Sequence, residues 1–328
     1  MNERGLLDLI ISLVPGLMPV EKISLMGEFD SEEEFVVQFR KSAKEFLKRE
    51  LKVDWDMDEI RERAQSIENV CVMRSIEWVS HESASFPPQL REMYDPPPVI
   101  FYRGRLPNPE KSILGMVGTR RPSPEALAQA YSIACCMGQA GISVVSGLAL
   151  GIDAMSHRGN LSGGVPGYAI LGSGVDEIYP STNRGLAKRI LDSGGALISE
   201  YPPGTPPARW NFPARNRIIS AMSRGVLIVE APQKSGALIT AAFALEQGRD
   251  LWVASSGVQK GQHGALYEKD GTVKLAHDGA EIVFSAHDIL KKWNIQTVNY
   301  DVDTAIPSWD ASGRELAASL ANFLGIEL

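Results

Sequence analysis

The sequence is poor in residues that build disulfide or metal scaffolds, with three cysteines and five histidines in 328 residues. Cys71 stands alone and Cys135 and Cys136 are adjacent, which is neither the spacing of a disulfide framework nor a C-x-x-C metal or redox motif. A reducing cytoplasm is therefore expected. His81, His263, His277 and His287 show no ligand spacing among themselves or with the cysteines, so no metal is expected. The apolar start, Leu6 to Val14, is too short to span a bilayer and lacks the basic flank and cleavage site of a signal peptide. It reads as a core helix, with no membrane partner. Positive charge is not in excess either. A net charge of -7 excludes a uniformly basic nucleic-acid binder while leaving room for a local basic site. No G-x-x-x-x-G-K-[ST] segment is present, and Gly172 and Gly174 lack the third glycine of a dinucleotide fingerprint. Neither a P-loop phosphohydrolase nor a nicotinamide or flavin enzyme is indicated, and no cofactor is expected.

With 44% hydrophobic and 22% charged residues the composition is that of a globular protein, long enough for one substantial core and a smaller module. Residues 1–85 read as a small all-helical domain, broken at Pro15, Gly16 and Asp54. Residues 86–110 read as a linker ending in a short strand, because five prolines between Pro87 and Pro98 forbid a continuous helix. Over residues 111–290, Val- and Ile-rich runs alternate with stretches of helical period, which predicts an α/β domain with a Rossmann-like, mostly parallel sheet and helices on both faces. The strand runs are 113–118, 142–147, 168–172, 196–200, 226–231 and 251–255. Between the first two, Ser123 is a candidate N-cap, Pro124 a first helical residue and Gly141 a stop. Residues 291–328 read as a short tail ending in one helix.

In parallel α/β sheets ligands bind at the carboxyl ends of strands, where loops run into helix N-termini. The chemistry-bearing residues fall at those places. Gly118 and Arg120 follow the first run. Ser146, Gly147, Gly151 and Asp153 follow the second, in a turn whose amides are candidates to cradle a phosphate. After the fourth come Phe212, Arg215, Asn216 and Arg217, and after the fifth Lys234, Ser235 and Gly236. Arg209, Arg215, Arg217 and Arg224 lie between Tyr201 and Gly225 without one Asp or Glu, a local basic patch suited to phosphates. Trp210 and Phe212 interleave with them, the mixture a single-strand groove uses for stacking and charge neutralisation. Asp153 and His157 are four apart on a helix and share a face. With Ser146 they imitate a hydrolase triad, but no G-x-S-x-G elbow surrounds the serine, so a structural pairing is the expectation. Glu230, ending a buried run, is expected to pair with one of the arginines. No catalytic residue is assigned.

The segments GTRRPSPEALAQA, VVSGLALGIDAMSHRG, AILGSGVDEIYPSTNRGL, LISEYPPGTPP, FPARNRIISAMS and VEAPQKSGALITAAFALEQGRDLWV resemble the ordered motif series of the DprA/Smf family. The resemblance runs from about residue 86 to 290. It implies single-stranded DNA as ligand, a homodimer, and delivery of the DNA to a RecA-type recombinase in natural transformation. It also implies a DNA pocket built from Arg120, the turn from Ser146 to Asp153 and the segment from Arg215 to Arg217. Departures occur at Ala254 to Gly257, where the family reads V-P-G, and at Gly271 to Ala276. The tail is too short for the winged-helix domain that many members carry. The alternative is a nucleoside-monophosphate phosphoribohydrolase of the lysine-decarboxylase-like (LOG) group. Its P-G-G-x-G-T-x-x-E motif is absent, although Lys234-Ser235-Gly236 with Glu246 stands in a loosely comparable place.

Overall fold

The computed structural model describes residues 3–47, 49, 55–259 and 269–295. The chain divides into two compact units, one of Met1–Arg103, Ser173–Glu177 and Ile198–Pro206, the other of Gly104–Gly172, Ile178–Leu197 and Pro207–Leu328.

The first unit opens with helices α1 (Glu3–Leu13), α2 (Pro19–Glu28), α3 (Glu32–Leu47) and α4 (Met57–Met73). Their starts are written locally. Pro19 occupies the first turn of α2, where Glu21 accepts the Met18 N–H at 2.8 Å, and Asp56 caps α4 by accepting the Asp58 N–H at 2.8 Å. Leu9, Ile10, Phe35, Phe39 and Ala64 meet in one buried cluster, so the expected core helix at the start is that. Residues 74–80 depart from the all-helical expectation, since β1 (Glu77–Ser80) pairs antiparallel with β2 (Val99–Gly104), the entry strand anticipated after the prolines. Between them α5 (Pro88–Arg91) is a single turn, which proline tolerates at its N-terminus.

From there strands and helices alternate. The strands are β3 (Ile113–Val117), β4 (Ser143–Ser146), β5 (Tyr168–Ile170), β6 (Ala196–Ser199), β7 (Gly225–Ile228), β8 (Asp250–Ala254) and β9 (Glu281–Val283). The helices are α6 (Pro124–Gln139), α7 (Ile152–Ser162), α8 (Arg184–Asp192), α9 (Asn211–Ala221), α10 (Gly236–Glu246), α11 (Asp270–His277) and α12 (Ala286–Lys292). The strand order is β6-β5-β4-β3-β7-β8-β9, with β3 parallel to both β4 and β7. Chain direction across the sheet thus reverses between β3 and β7, the switch point at which α/β sheets open a crevice.

Alternation along β3 shows why both faces are covered. Leu114 and Met116 join α6, α7 and α12 in one core cluster, while a Cβ on Gly115 would meet Ser223, just beyond α9, at 2.5 Å. Helices α9 and α10 pack on that second face. Ser123 caps α6 as expected, its Oγ accepting the Ala126 N–H at 3.3 Å, and Gly141 ends it at φ +77°. The helix expected over 312–328 lies outside the described residues, as does 260–268 of the departing loop. Among the described residues no helix is long and apolar enough to cross a membrane.

Candidate nucleic-acid interface

A cavity of about 840 Å³ opens at the carboxyl edge of the sheet in the second unit. The loops after β3 and β7 and the N-terminal turns of α9 and α10 form its walls, so it lies at the switch point. Its charge is one-sided: among the described residues Arg120, Arg121, Arg209 and Arg215 line it against one carboxylate, that of Asp153. Arg120, Arg121 and Arg209 are exposed. The aromatic wall is Phe212 with Tyr179, ring centroids 5.5 Å apart and tilted by 39°, and the Arg120 guanidinium lies 5.6 Å from the Phe212 centroid. On the facing wall Ser235 caps α10, accepting the Ala237 N–H at 3.2 Å, and a Cβ on Gly236 would meet nothing within 4 Å. Backbone there is open to a ligand.

Beneath the cavity lies a rigid polar layer. Arg215, only 4% exposed, donates through Nη1 to the Ile170 carbonyl at 2.6 Å and through Nη2 to the Gly147 carbonyl at 3.0 Å, tying the ends of β5 and β4 together. A Cβ at position 147 would fall 2.0 Å from that guanidinium, so a larger residue there must displace Arg215 from these carbonyls. Asp153 accepts the amides of Gly147 at 3.1 Å and Ala149 at 3.4 Å. Its carboxyl is pushed up by burial, opposed by the nearby charge of Arg215 and by those amides. Gly151 holds φ +75° where a Cβ would press on the Thr119 carbonyl at 2.4 Å, and that carbonyl accepts the Ile152 N–H at 3.2 Å. Leu148, buried, takes φ +57°, a strained setting held by Asn183 Nδ2 on the Leu148 carbonyl at 2.9 Å.

Several sequence expectations change on this geometry. Arg215 and Arg217, at 4% and 7% exposure, do not present their charge to solvent, and Arg217 does not line the cavity. The two side chains, two apart on α9, point to different faces, and both faces are covered there. The turn after β4 cradles no phosphate through Gly147 or Ala149, whose amides are already taken by Asp153. Ser146, Gly147, Gly151 and Lys234 lie outside the cavity wall; Gly118, Arg120, Asp153, Phe212, Arg215, Asn216, Ser235 and Gly236 are in it. Among the described residues Glu230 pairs with no arginine: it accepts the Ser123 amide at 2.8 Å and the Ser123 hydroxyl at 2.6 Å, with Lys269 at 3.5 Å. His157 is not oriented by Asp153, since neither ring nitrogen has a hydrogen-bond partner among the described residues, and Ser146 Oγ donates to the Met116 carbonyl at 2.6 Å. The triad resemblance is one of spacing alone. Thr119, Arg121 and Tyr179, from loops that follow strands, and Thr240 of α10 also line the cavity. The Arg-Arg doublet after β3 was the available signal for Arg121. Glu246, the last residue of α10, is exposed and about 15 Å along the helix from its cavity end.

Fold and cavity together define a Rossmann-like protein with a cavity lined by arginines and aromatic rings at the switch point of its sheet. Residues 77–294 match the family model of DNA recombination-mediator protein A. The chain belongs to that family. It is 40% identical over 218 residues to protein Smf of Synechocystis sp., covering 65% of this chain and 53% of that protein. The chain thus spans about half the length of that relative. Identity to DNA processing protein DprA of Bacillus subtilis is 36% over 230 residues, 69% of this chain and 74% of that protein. Among solved structures, DNA processing protein A from Streptococcus pneumoniae superposes with a TM-score of 0.66 at 27% identity, over 91% of this chain and 99% of that one. DNA processing protein A from Helicobacter pylori, described for its single-stranded DNA binding mode, gives a TM-score of 0.57 at 26% identity, over 66% and 96% of the two chains.

Proposed function

We propose that this protein takes part in DNA processing by binding single-stranded DNA in the cavity at the carboxyl edge of its sheet. The carrying observation is that one cavity is lined both by three exposed arginines, Arg120, Arg121 and Arg209, and by the Phe212 and Tyr179 rings. A phosphodiester chain needs charge at intervals, and an unpaired base needs a flat apolar surface. Duplex DNA offers only the first match. Family membership and the single-strand binding described for the Helicobacter pylori relative support the same ligand. On this reading the bound strand is passed to a RecA-type recombinase during DNA uptake, the protein works as a homodimer in the cytoplasm, and no substrate is turned over. The phosphoribohydrolase alternative is disfavoured by the position of Glu246.

Fluorescence anisotropy with a labelled oligonucleotide, single-stranded or annealed, tests the ligand class. The single strand should bind at least tenfold more tightly, and Phe212→Ala should weaken it by about 1–3 kcal/mol while leaving duplex binding unchanged. Equal affinity for both forms, or loss of both on Phe212→Ala, would overturn the proposal.

A further inference from the structure

The loop carrying Arg120 and Arg121 is fastened at both ends by one buried residue that touches no cavity space. Glu230, at 0% exposure two residues beyond β7, accepts the Thr119 N–H on its backbone carbonyl at 2.7 Å. Its side chain reaches the far end of the same loop, Oε1 accepting the Ser123 N–H at 2.8 Å and Oε2 the Ser123 hydroxyl at 2.6 Å. Inside this clamp the loop adds its own brace, Thr119 Oγ1 accepting the Arg121 N–H at 3.2 Å. A carboxylate in so dry a place needs a cation, and Lys269 supplies it at 3.5 Å. Lys269 also donates to the Ser256 carbonyl at 2.7 Å. The acid therefore joins the arginine loop after β3 to the segment after β8.

We propose that Glu230 is a positioning residue for ligand binding, fixing the curvature of residues 119–123 so that the two exposed guanidinium groups stand at the cavity mouth. The inference rests on the single-strand reading of that cavity. Two features set it apart from ordinary core packing. The hydrogen bonds all converge on the ends of one five-residue loop, and a helix cap alone requires only the hydroxyl of Ser123, which already serves the Ala126 amide. The carboxylate at Glu230 holds Ser123 by hydrogen bonds and Lys269 by charge. Glutamine at 230 can still accept the Ser123 amide, yet leaves Lys269 without its counter-charge.

The test is a salt titration of single-strand affinity for the wild type, Glu230→Ala, Arg120→Ala/Arg121→Ala, and the combination of all three changes, together with Glu230→Gln/Lys269→Met. Each lost phosphate contact lowers the log-log salt slope by about 0.7. Glu230→Ala should lose between one and two contacts, a drop of about 0.7 to 1.4 in slope, and should add nothing once both arginines are gone. The charge-free pair Glu230→Gln/Lys269→Met should recover more than half of the lost slope, which a merely destabilised core would not do. Amide exchange at Arg120 to Ser123 should accelerate in Glu230→Ala at a pH where the rest of the sheet stays protected. A folded Glu230→Ala protein with wild-type slope, or an effect that adds fully to the arginine changes, overturns the positioning role while leaving the site reading intact. Unchanged binding by Arg120→Ala/Arg121→Ala overturns the site reading and this inference with it. Should Glu230→Ala fail to fold, Glu230→Gln alone decides: no change in slope or in loop exchange refutes the role.

Discussion

His157 is fully buried on α7 with both ring nitrogens unpartnered, so the protein can hold it only as the neutral imidazole. Burial, with the charge of Arg215 adding to it, brings its pKa down from 6.5 to about 3. Between those values the unfolded chain carries a proton on this ring and the folded chain does not. Unfolding then takes up a proton, and stability falls as pH falls, by about 1.4 kcal/mol per pH unit from this group alone. Its contribution is complete above pH 6.5 and gone below about pH 3. Asp153 works with the opposite sign, since its raised carboxyl protonates in the folded state first and eases the acid loss. Replacing His157 by Leu should leave stability at pH 7 within about 1 kcal/mol or raise it, because no hydrogen bond is lost. Denaturant unfolding at several pH values should show a flatter acid limb. An unchanged acid limb would show that the ring is protonated inside the fold.

At the scale of elements, Arg215 makes α9 the tie between β4 and β5. Changing it to Ala strands two carbonyl groups and leaves Asp153 facing a cavity without its nearest cation, which should cost about 3–5 kcal/mol of stability. Urea unfolding checks this, and a loss below about 1 kcal/mol would mean that the side chain is solvated in solution. The strands around this tie were legible in the sequence because burial on both faces makes each a short unbroken apolar run, as in ILGMVG or VLIVEA. Three-residue β9 and four-residue β1 were not, being brief and half exposed. Arg120 and Phe212 could be placed at the ligand edge because they follow strand ends. Arg215 could be placed there too, but its inward aim could not be read, since α9 has no clear apolar face and the residue's carbonyl acceptors, Ile170 and Gly147, lie far away in sequence. The place of Glu230 at the end of an apolar run implies burial and pairing; its partner Ser123, 107 residues away, is set by the parallel neighbours β3 and β7 and not by any local pattern.

For the molecule as a whole, net charge and binding charge are separate quantities. The chain carries -7 overall, so long-range attraction to DNA is weak, and on the proposed reading affinity comes from the arginines that line the cavity. That makes the ionic-strength dependence of binding a count of local contacts. The most direct test of the account compares single-strand affinity across salt concentrations for the wild type, Arg120→Ala/Arg121→Ala, and Arg61→Ala, whose guanidinium pairs with Glu32 and Asp58 in the helical unit. The double variant should lose about 0.7 of log-log slope for each arginine, with Arg61→Ala indistinguishable from wild type. A folded double variant that binds with the wild-type slope and affinity would contradict the placement of the strand in this cavity.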